Sequence, residues 1–163
     1  MKKNINLILL LLITVSACEF SVEINTEKEQ EKDKNSIDKT LDDWHQAATD
    51  ADFDTYFSLM DDDAVFVGTD ASEVWSKKEF MDFAKPYFDK GKAWSFKKMK
   101  RNIYFDESHP KIAWFDETLD TWMGVCRGSG VLVKKNQQWL IKHYVLSMTI
   151  PNDKVKEVIE VVK

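Results

Sequence analysis

A histidine, an arginine and a set of tryptophans carry most of the chemistry this sequence can offer. His143 falls in the run Trp139-Leu140-Ile141-Lys142-His143-Tyr144-Val145, where strict strand alternation puts it on the side of Trp139, Ile141 and Val145. An imidazole on that apolar face can exchange protons near neutral pH or hold a ligand's polar group; it can equally be a core histidine satisfied by backbone or a carboxylate. Arg127 alternates with Val125 and Val131 and so points the same way. Its planar fork of donors would anchor a carboxylate or phosphate, or bridge to Glu117 or Asp116 across the sheet. Trp44, Trp75, Trp94, Trp114, Trp122 and Trp139 are many indoles for 163 residues. Such rings suit a pocket for a flat or apolar ligand, and they also fill cores. Trp75 and Trp122, near predicted strand or loop ends, and Trp44 are the pocket candidates, with Glu117, Arg127 and His143 as their polar partners.

Other motifs point away from metals and cofactors. Asp61-Asp62-Asp63 lacks the spaced ligands, glycine and closing glutamate of a hand-type calcium loop and reads as a turn. His45 and His109 are far apart, and no His-Glu-x-x-His or paired-cysteine spacing exists, so no metal site and no cofactor is expected. Cys126 reads as a small apolar strand residue rather than a nucleophile. Gly128 and Gly130 lie within a strand pattern, where they allow bending or close packing rather than cradle a phosphate.

The first residues address the chain. Met1-Lys2-Lys3 gives a positive start, Leu7 to Val15 is almost wholly apolar, and Val15-Ser16-Ala17-Cys18 closes the run with small residues before a cysteine. A permanent span needs about 20 apolar residues to cross about 30 Å of hydrocarbon, so this shorter run reads as a removable signal peptide, residues 1–17. Its ending resembles the lipobox of bacterial lipoproteins. That resemblance implies a mature chain beginning at a lipidated Cys18, exported from the cytoplasm and held in the cell envelope by two or more acyl chains. Residues 18–35, nearly all polar, are expected to be a flexible tether, and residues 36–163 a single domain. The formal charge of −5 falls to −7 once Lys2 and Lys3 leave with the signal, which argues against a nucleic-acid partner. Cys126 would then lack an intrachain disulfide partner.

These residues need elements to position them. Asn35 or Ser36 can cap a helix with Ile37, Leu41, Trp44 and Ala48 on its buried stripe. Asp52 can cap a short helix presenting Phe53, Tyr56, Phe57 and Met60, and Ala64 to Val67 reads as a strand. Ser76 and Glu79 have capping-box spacing before Phe80, Phe83, Ala84, Tyr87 and Phe88, with Pro86 expected to kink or divide that helix. Residues 94–105, 112–122, 123–135 and 139–149 read as an antiparallel meander. In the first, the apolar parity switches from Trp94 and Phe96 to Met99, Ile103 and Phe105, which predicts a bulge and a bent sheet. A last helix would show Val155, Val158, Ile159 and Val162. Helices first and a long meander afterwards make the fold class α+β.

The order of these elements, with Trp44, Ala47-Ala48, Asp52-Phe53-Asp54 and Leu59-Met60, resembles the front half of the nuclear-transport-factor-2-like (NTF2-like) superfamily. Arg127-Gly128-Ser129-Gly130-Val131-Leu132-Val133, a turn, and Trp139 to Tyr144 with Ser147 are similar to the closing hairpin of its SnoaL-like branch. The resemblance covers about Ser36 to Pro151. It implies a cone, a strongly curved antiparallel sheet wrapped around the N-terminal helices with a cavity at the open end, here with an extra C-terminal helix. It leaves function open among binding, catalysis and assembly. The isomerases of that superfamily use a carboxylate base, a tyrosine donor and a protonated acid at positions held here by Gly68, with Asp70 nearby, by Trp44, and by Arg127 to Ser129. All three depart, so that activity is not carried over.

Three functions follow as expectations: binding of a small, partly apolar ligand in the cone; an isomerase, dehydratase or hydrolase using His143 with Asp116 or Glu117 and Arg127; or a homodimer formed through an outer sheet face bearing Tyr144, Leu146 and Met148.

Overall fold

The computed structural model describes residues 28–106 and 108–162. The signal segment and Cys18 lie outside the described residues. The chain divides into two units, residues 1–36 and 37–163. In the first, residues 28–36 are helical, so the described part of the expected tether takes regular structure. Its Glu, Lys and Gln residues bury little but are good helix formers, and Asn35 Nδ2 donates to Glu31 Oε1 one turn earlier, at 3.5 Å.

The second unit opens with helix α1, residues 37–49, whose Ile37, Leu41, Trp44, Ala47 and Ala48 are buried as their spacing requires. Helix α2, Phe53–Ser58, is capped by Asp52, whose carboxylate accepts from Thr55 N. Strand β1, Met60–Val67, begins earlier than the sequence suggests. Met60 and the three aspartates belong to it rather than to a helix end and a turn, because Asp61 is buried and neutralised by Lys135 Nζ at 2.6 Å. Strand β2, Val74–Ser76, leads into helix α3, Lys77–Asp89, through a complete Ser76–Glu79 capping box. Pro86 does not divide α3; it sits in the last turn, where one lost hydrogen bond matters least.

Strands β3 (Lys97–Phe105), β4 (Ile112–Thr121), β5 (Gly124–Lys135) and β6 (Gln138–Met148) form the expected antiparallel meander. The chain then passes through a short 3-10 turn into helix α4, Val155–Val162, whose apolar residues are mostly exposed. The sheet is curved, unclosed and mixed, in the order β2-β1-β6-β5-β4-β3, with β1 running parallel to β6.

Two irregularities set which side chains face the helices. The first, a register shift between Lys98 and Lys100, is the bulge predicted from the parity switch in β3. The second is in β6, where Leu132 pairs with Ile141 but Val131 pairs with His143, leaving Lys142 as an extra residue. A one-residue insertion turns every later side chain to the opposite face. Trp139 and Ile141 face the core, and beyond the bulge it is Tyr144 and Leu146 that do so, not His143 and Val145.

Candidate functional site

Glu117 is the organising residue of the inner face. It lies on β4 between the buried Phe115 and Leu119 and is itself fully buried, in a place where alternation calls for an apolar side chain. Its carboxylate is surrounded by donors. His45 Nε2 lies 2.8 Å from Oε1 and, since a carboxylate only accepts, carries the proton in that bond. Tyr144 Oη donates to the same oxygen at 3.0 Å, and Arg101 Nε donates to Oε2 at 2.8 Å. Arg101 Nη2 lies 2.7 Å from Oε2, off the hydrogen-bonding line. Burial, the largest single influence on Glu117, pushes its pKa up; the hydrogen bond and charge of His45 and Arg101 outweigh it, and the carboxyl stays below its ordinary value.

Local sequence explains the convergence. Arg101 is the direct cross-strand partner of Glu117 on β3, and Gly128 is its partner on β5. A Cβ at Gly128 would overlap the Tyr144 hydroxyl and approach Glu117 Oε1 to 2.9 Å, so the glycine makes room for the bond between them. His45 reaches the same carboxylate from α1, one and two turns beyond Leu41 and Ile37. The arginine also fastens α1 to the sheet: its Nη1 donates to Asp38 O at 2.9 Å, Asp38 Oδ1 at 2.7 Å and Asp42 Oδ1 at 2.8 Å. Lys98 Nζ joins the same carboxylates at 3.1 and 2.8 Å.

Around this cluster the interior is aromatic. Trp44 stacks on Tyr56 and packs against Tyr144, each with centroids 4.7 Å apart, and Phe66 stacks on Tyr144 at 5.6 Å. Trp94 and Phe96, half-buried in irregular backbone ahead of β3, pack against Tyr56 at 5.6 Å and His45 at 6.2 Å. Two polar side chains here are short of hydrogen bonds among the described residues: Trp44 Nε1, on a side chain 1% exposed, has no partner, and Tyr56 Oη, on one 0% exposed, has the Trp94 indole as a donor but no acceptor for its own proton. Burial holds the Tyr56 hydroxyl far above its normal pKa, with the hydrogen bond from the Trp94 side chain a smaller, opposing influence, so it remains a neutral donor.

The structure therefore divides the residues proposed from sequence. Trp44 and Glu117 meet in the interior, and Trp75, half-buried on β2, joins them through Phe66 at 6.1 Å. Trp122 is 83% exposed at the β4–β5 turn. Arg127 is exposed on the outer face with its cross-strand partner Thr118, because Cys126, Gly128 and Leu132 take the inward parity of β5. It does not bridge to Glu117, whose partner is Arg101, or to Asp116, which accepts from Asn102 and Tyr104. His143 lies on that outer face too, turned there by the bulge, and cannot act with Glu117. His45, Arg101, Tyr56 and Tyr144 are the residues the sequence reading missed. The signal was present for two of them: His45 continues the Ile37–Leu41 stripe, and Arg101 shares the parity of Ile103 and Phe105. Among the described residues, no group of three or more His, Cys, Asp or Glu side chains is placed to hold a metal, and no helix is long and apolar enough to cross a membrane.

A family model described as SnoaL-like domain matches residues 37–151. The chain belongs to the SnoaL-like domain family. Solved structures share the fold at low identity. An NTF2-like protein of unknown function from Pseudomonas putida superposes with a TM-score of 0.62 at 14% identity, covering 76% of this chain and 92% of its own. A putative dehydratase of the NTF2-like family from Streptomyces avermitilis gives 0.63 at 13%, covering 75% and 99%. A putative aromatic ring hydroxylase from Novosphingobium aromaticivorans gives 0.61 at 13%, covering 74% and 91%. No curated protein matches the chain in sequence. The NTF2-like α+β fold is thus shared, and the identities leave the chemistry to the residues of this SnoaL-like domain.

Proposed function

We propose that this SnoaL-like domain binds a small, partly apolar ligand against the inner face of its sheet, beside Trp44, Tyr56 and the Glu117 cluster. The observation that carries this is the pair of buried donors, Trp44 Nε1 and Tyr56 Oη, whose protons meet no acceptor among the described residues. Each unmet buried donor costs about 1–3 kcal/mol, an expense that an acceptor on a bound molecule removes. The aromatic walls supply the matching apolar surface. Simple binding is favoured over proton abstraction, because both oxygens of Glu117 are already occupied and His45 spends Nε2 on holding it. The test is a panel of aromatic compounds of all charge types. Binders should raise the melting temperature with concentration and slow amide exchange in residues 44–57. A panel without such binders, or protection confined to the outer face, overturns the reading.

The same proposal places the domain outside the cytoplasm, anchored through lipidated Cys18. Incorporation of labelled palmitate should disappear in Cys18→Ala; a chain that stays unlabelled or is found in the cytoplasm removes this part.

A second reading, self-association through the outer face, is favoured by Trp114 and Tyr104, both exposed and stacked at 5.9 Å, with Val125 exposed on the next strand. Tyr144 and Leu146, expected on that face, are buried and take no part. Sedimentation of the chain at high concentration decides it, a strict monomer counting against the interface.

A further inference from the structure

We infer that α4 is an arm exchanged between two copies of this chain: its apolar stripe lies on the outer sheet face of the second copy, which returns its own α4 in the same way. The inference rests on the self-association reading above and names what covers that face. Two apolar surfaces of the described residues are left open. On α4, Val155, Val158, Ile159 and Val162 recur at i, i+3, i+4 and i+7, and none is buried. On the outer face, strand register sets Tyr104, Trp114 and Val131 in one row and Ile112, Val133 and Leu140 in the next. Tyr104, Ile112 and Trp114 are 42%, 39% and 43% exposed, so no helix of their own copy lies over them. A helix of eight residues is too short to hold itself together in water and needs a surface to pack on.

The connection to β6 decides whose face that is. Thr149 is clamped to Val125 O by its backbone N at 3.1 Å and its hydroxyl at 2.7 Å. Ile150 alone separates this clamp from Pro151, and the 3-10 turn Asn152–Lys154, closed by Lys154 N donating to Pro151 O at 2.9 Å, runs directly into α4. The arm therefore leaves the end of the sheet without slack to fold back over the strand it came from. At 1.5 Å per residue it is about 12 Å long, enough to cross two or three strands about 4.8 Å apart. Charge agrees with this placement. The arm carries Lys156 against Glu157 and Glu160, while the outer face carries Lys97, Lys100 and Arg127 against Asp116 and Asp120, with His143 among them. A slightly acidic helix thus meets a slightly basic face. The same balance argues against a lipid surface, since helices that lie on membranes have basic polar faces. Two-fold exchange makes each contact twice.

Sedimentation equilibrium of the full-length chain under reducing conditions tests the exchange, with Ile159→Asp to spoil the arm and Trp114→Asp to spoil the face. Each should weaken the dimer at least about tenfold, because a carboxylate is then pressed against apolar surface, and each should leave the melting temperature of the dilute chain unchanged. Mixing the two variants should recover part of the lost association, since the mixed pair keeps one intact arm on one intact face. A native chain that stays strictly monomeric removes the inference together with the self-association reading. A native dimer indifferent to Ile159→Asp overturns the arm while that reading stands. Loss in both variants without recovery on mixing overturns exchange between copies. Two further results also overturn the inference: dilute Ile159→Asp melting well below native, which would put the stripe inside its own copy, and flotation with phosphatidylcholine vesicles that is lost in Ile159→Asp, which would give the stripe to a lipid surface.

Discussion

The two faces of one sheet carry the same kinds of residue and use them differently. On the inner face, Arg101, Glu117, His45 and Tyr144 are desolvated and locked to one another. On the outer face, Arg127 and His143 stand in or near water. Low dielectric makes each missing partner costly on the first face, whereas screening makes it nearly free on the second. Residue type therefore predicts little here until the face is known.

The comparison breaks or sharpens under substitution. Glu117→Ala leaves Arg101 and His45 without their shared anion and should cost the most, about 3 kcal/mol or more, read from denaturant unfolding. A loss below about 1 kcal/mol would mean the inner cluster is not the brace described here. Tyr144→Phe removes one charge-assisted bond and should cost about 1.5–3 kcal/mol. Gly128→Ala, which pushes a methyl between Tyr144 and Glu117, should cost about 1–3 kcal/mol, and pairing it with Tyr144→Phe should recover part of the loss. On the outer face, Arg127→Ala and His143→Ala should each change stability by no more than about 0.5 kcal/mol. A large loss at His143 would show that it, and not Tyr144, is turned inward.

Acidification separates the faces by a different route. Glu117 and Asp38 have folded pKa values below their unfolded ones, so the stability they supply is complete above the unfolded carboxylate range, near about pH 4.3, and drains as pH falls through the folded values. For Asp38 burial again works upward and is outweighed by the hydrogen bonds from Arg101 and Lys98. Unfolding free energy measured from pH 6 downward should fall steeply below that point, and less steeply in Glu117→Gln. Identical slopes in the two chains would assign the acid loss to other carboxylates.

Much of this was legible in the chain itself. The stripe Ile37, Leu41, Trp44 and Ala48, the Ser76–Glu79 capping box, the four-strand meander and the bulge in β3 all follow from periodicity and side-chain chemistry between near neighbours. Glu117 was named from sequence as a polar partner of the pocket, but with Arg127 and His143 beside it, where the structure sets Arg101 and His45. The bulge at Lys142 was not legible, because beyond it both alternations carry apolar residues, Val145 on one and Tyr144 and Leu146 on the other, so no parity switch shows as it does in β3, and it alone exchanges His143 for Tyr144. Nor was the meeting of His45, Arg101 and Glu117, which lie far apart in sequence and are matched only when α1 is laid across β3 and β4. Local sequence thus determined the elements and their apolar faces, since those depend on spacing along the chain. Register and packing, which depend on pairing between distant strands, decided which ionisable groups lost their water and so which of them could form a site.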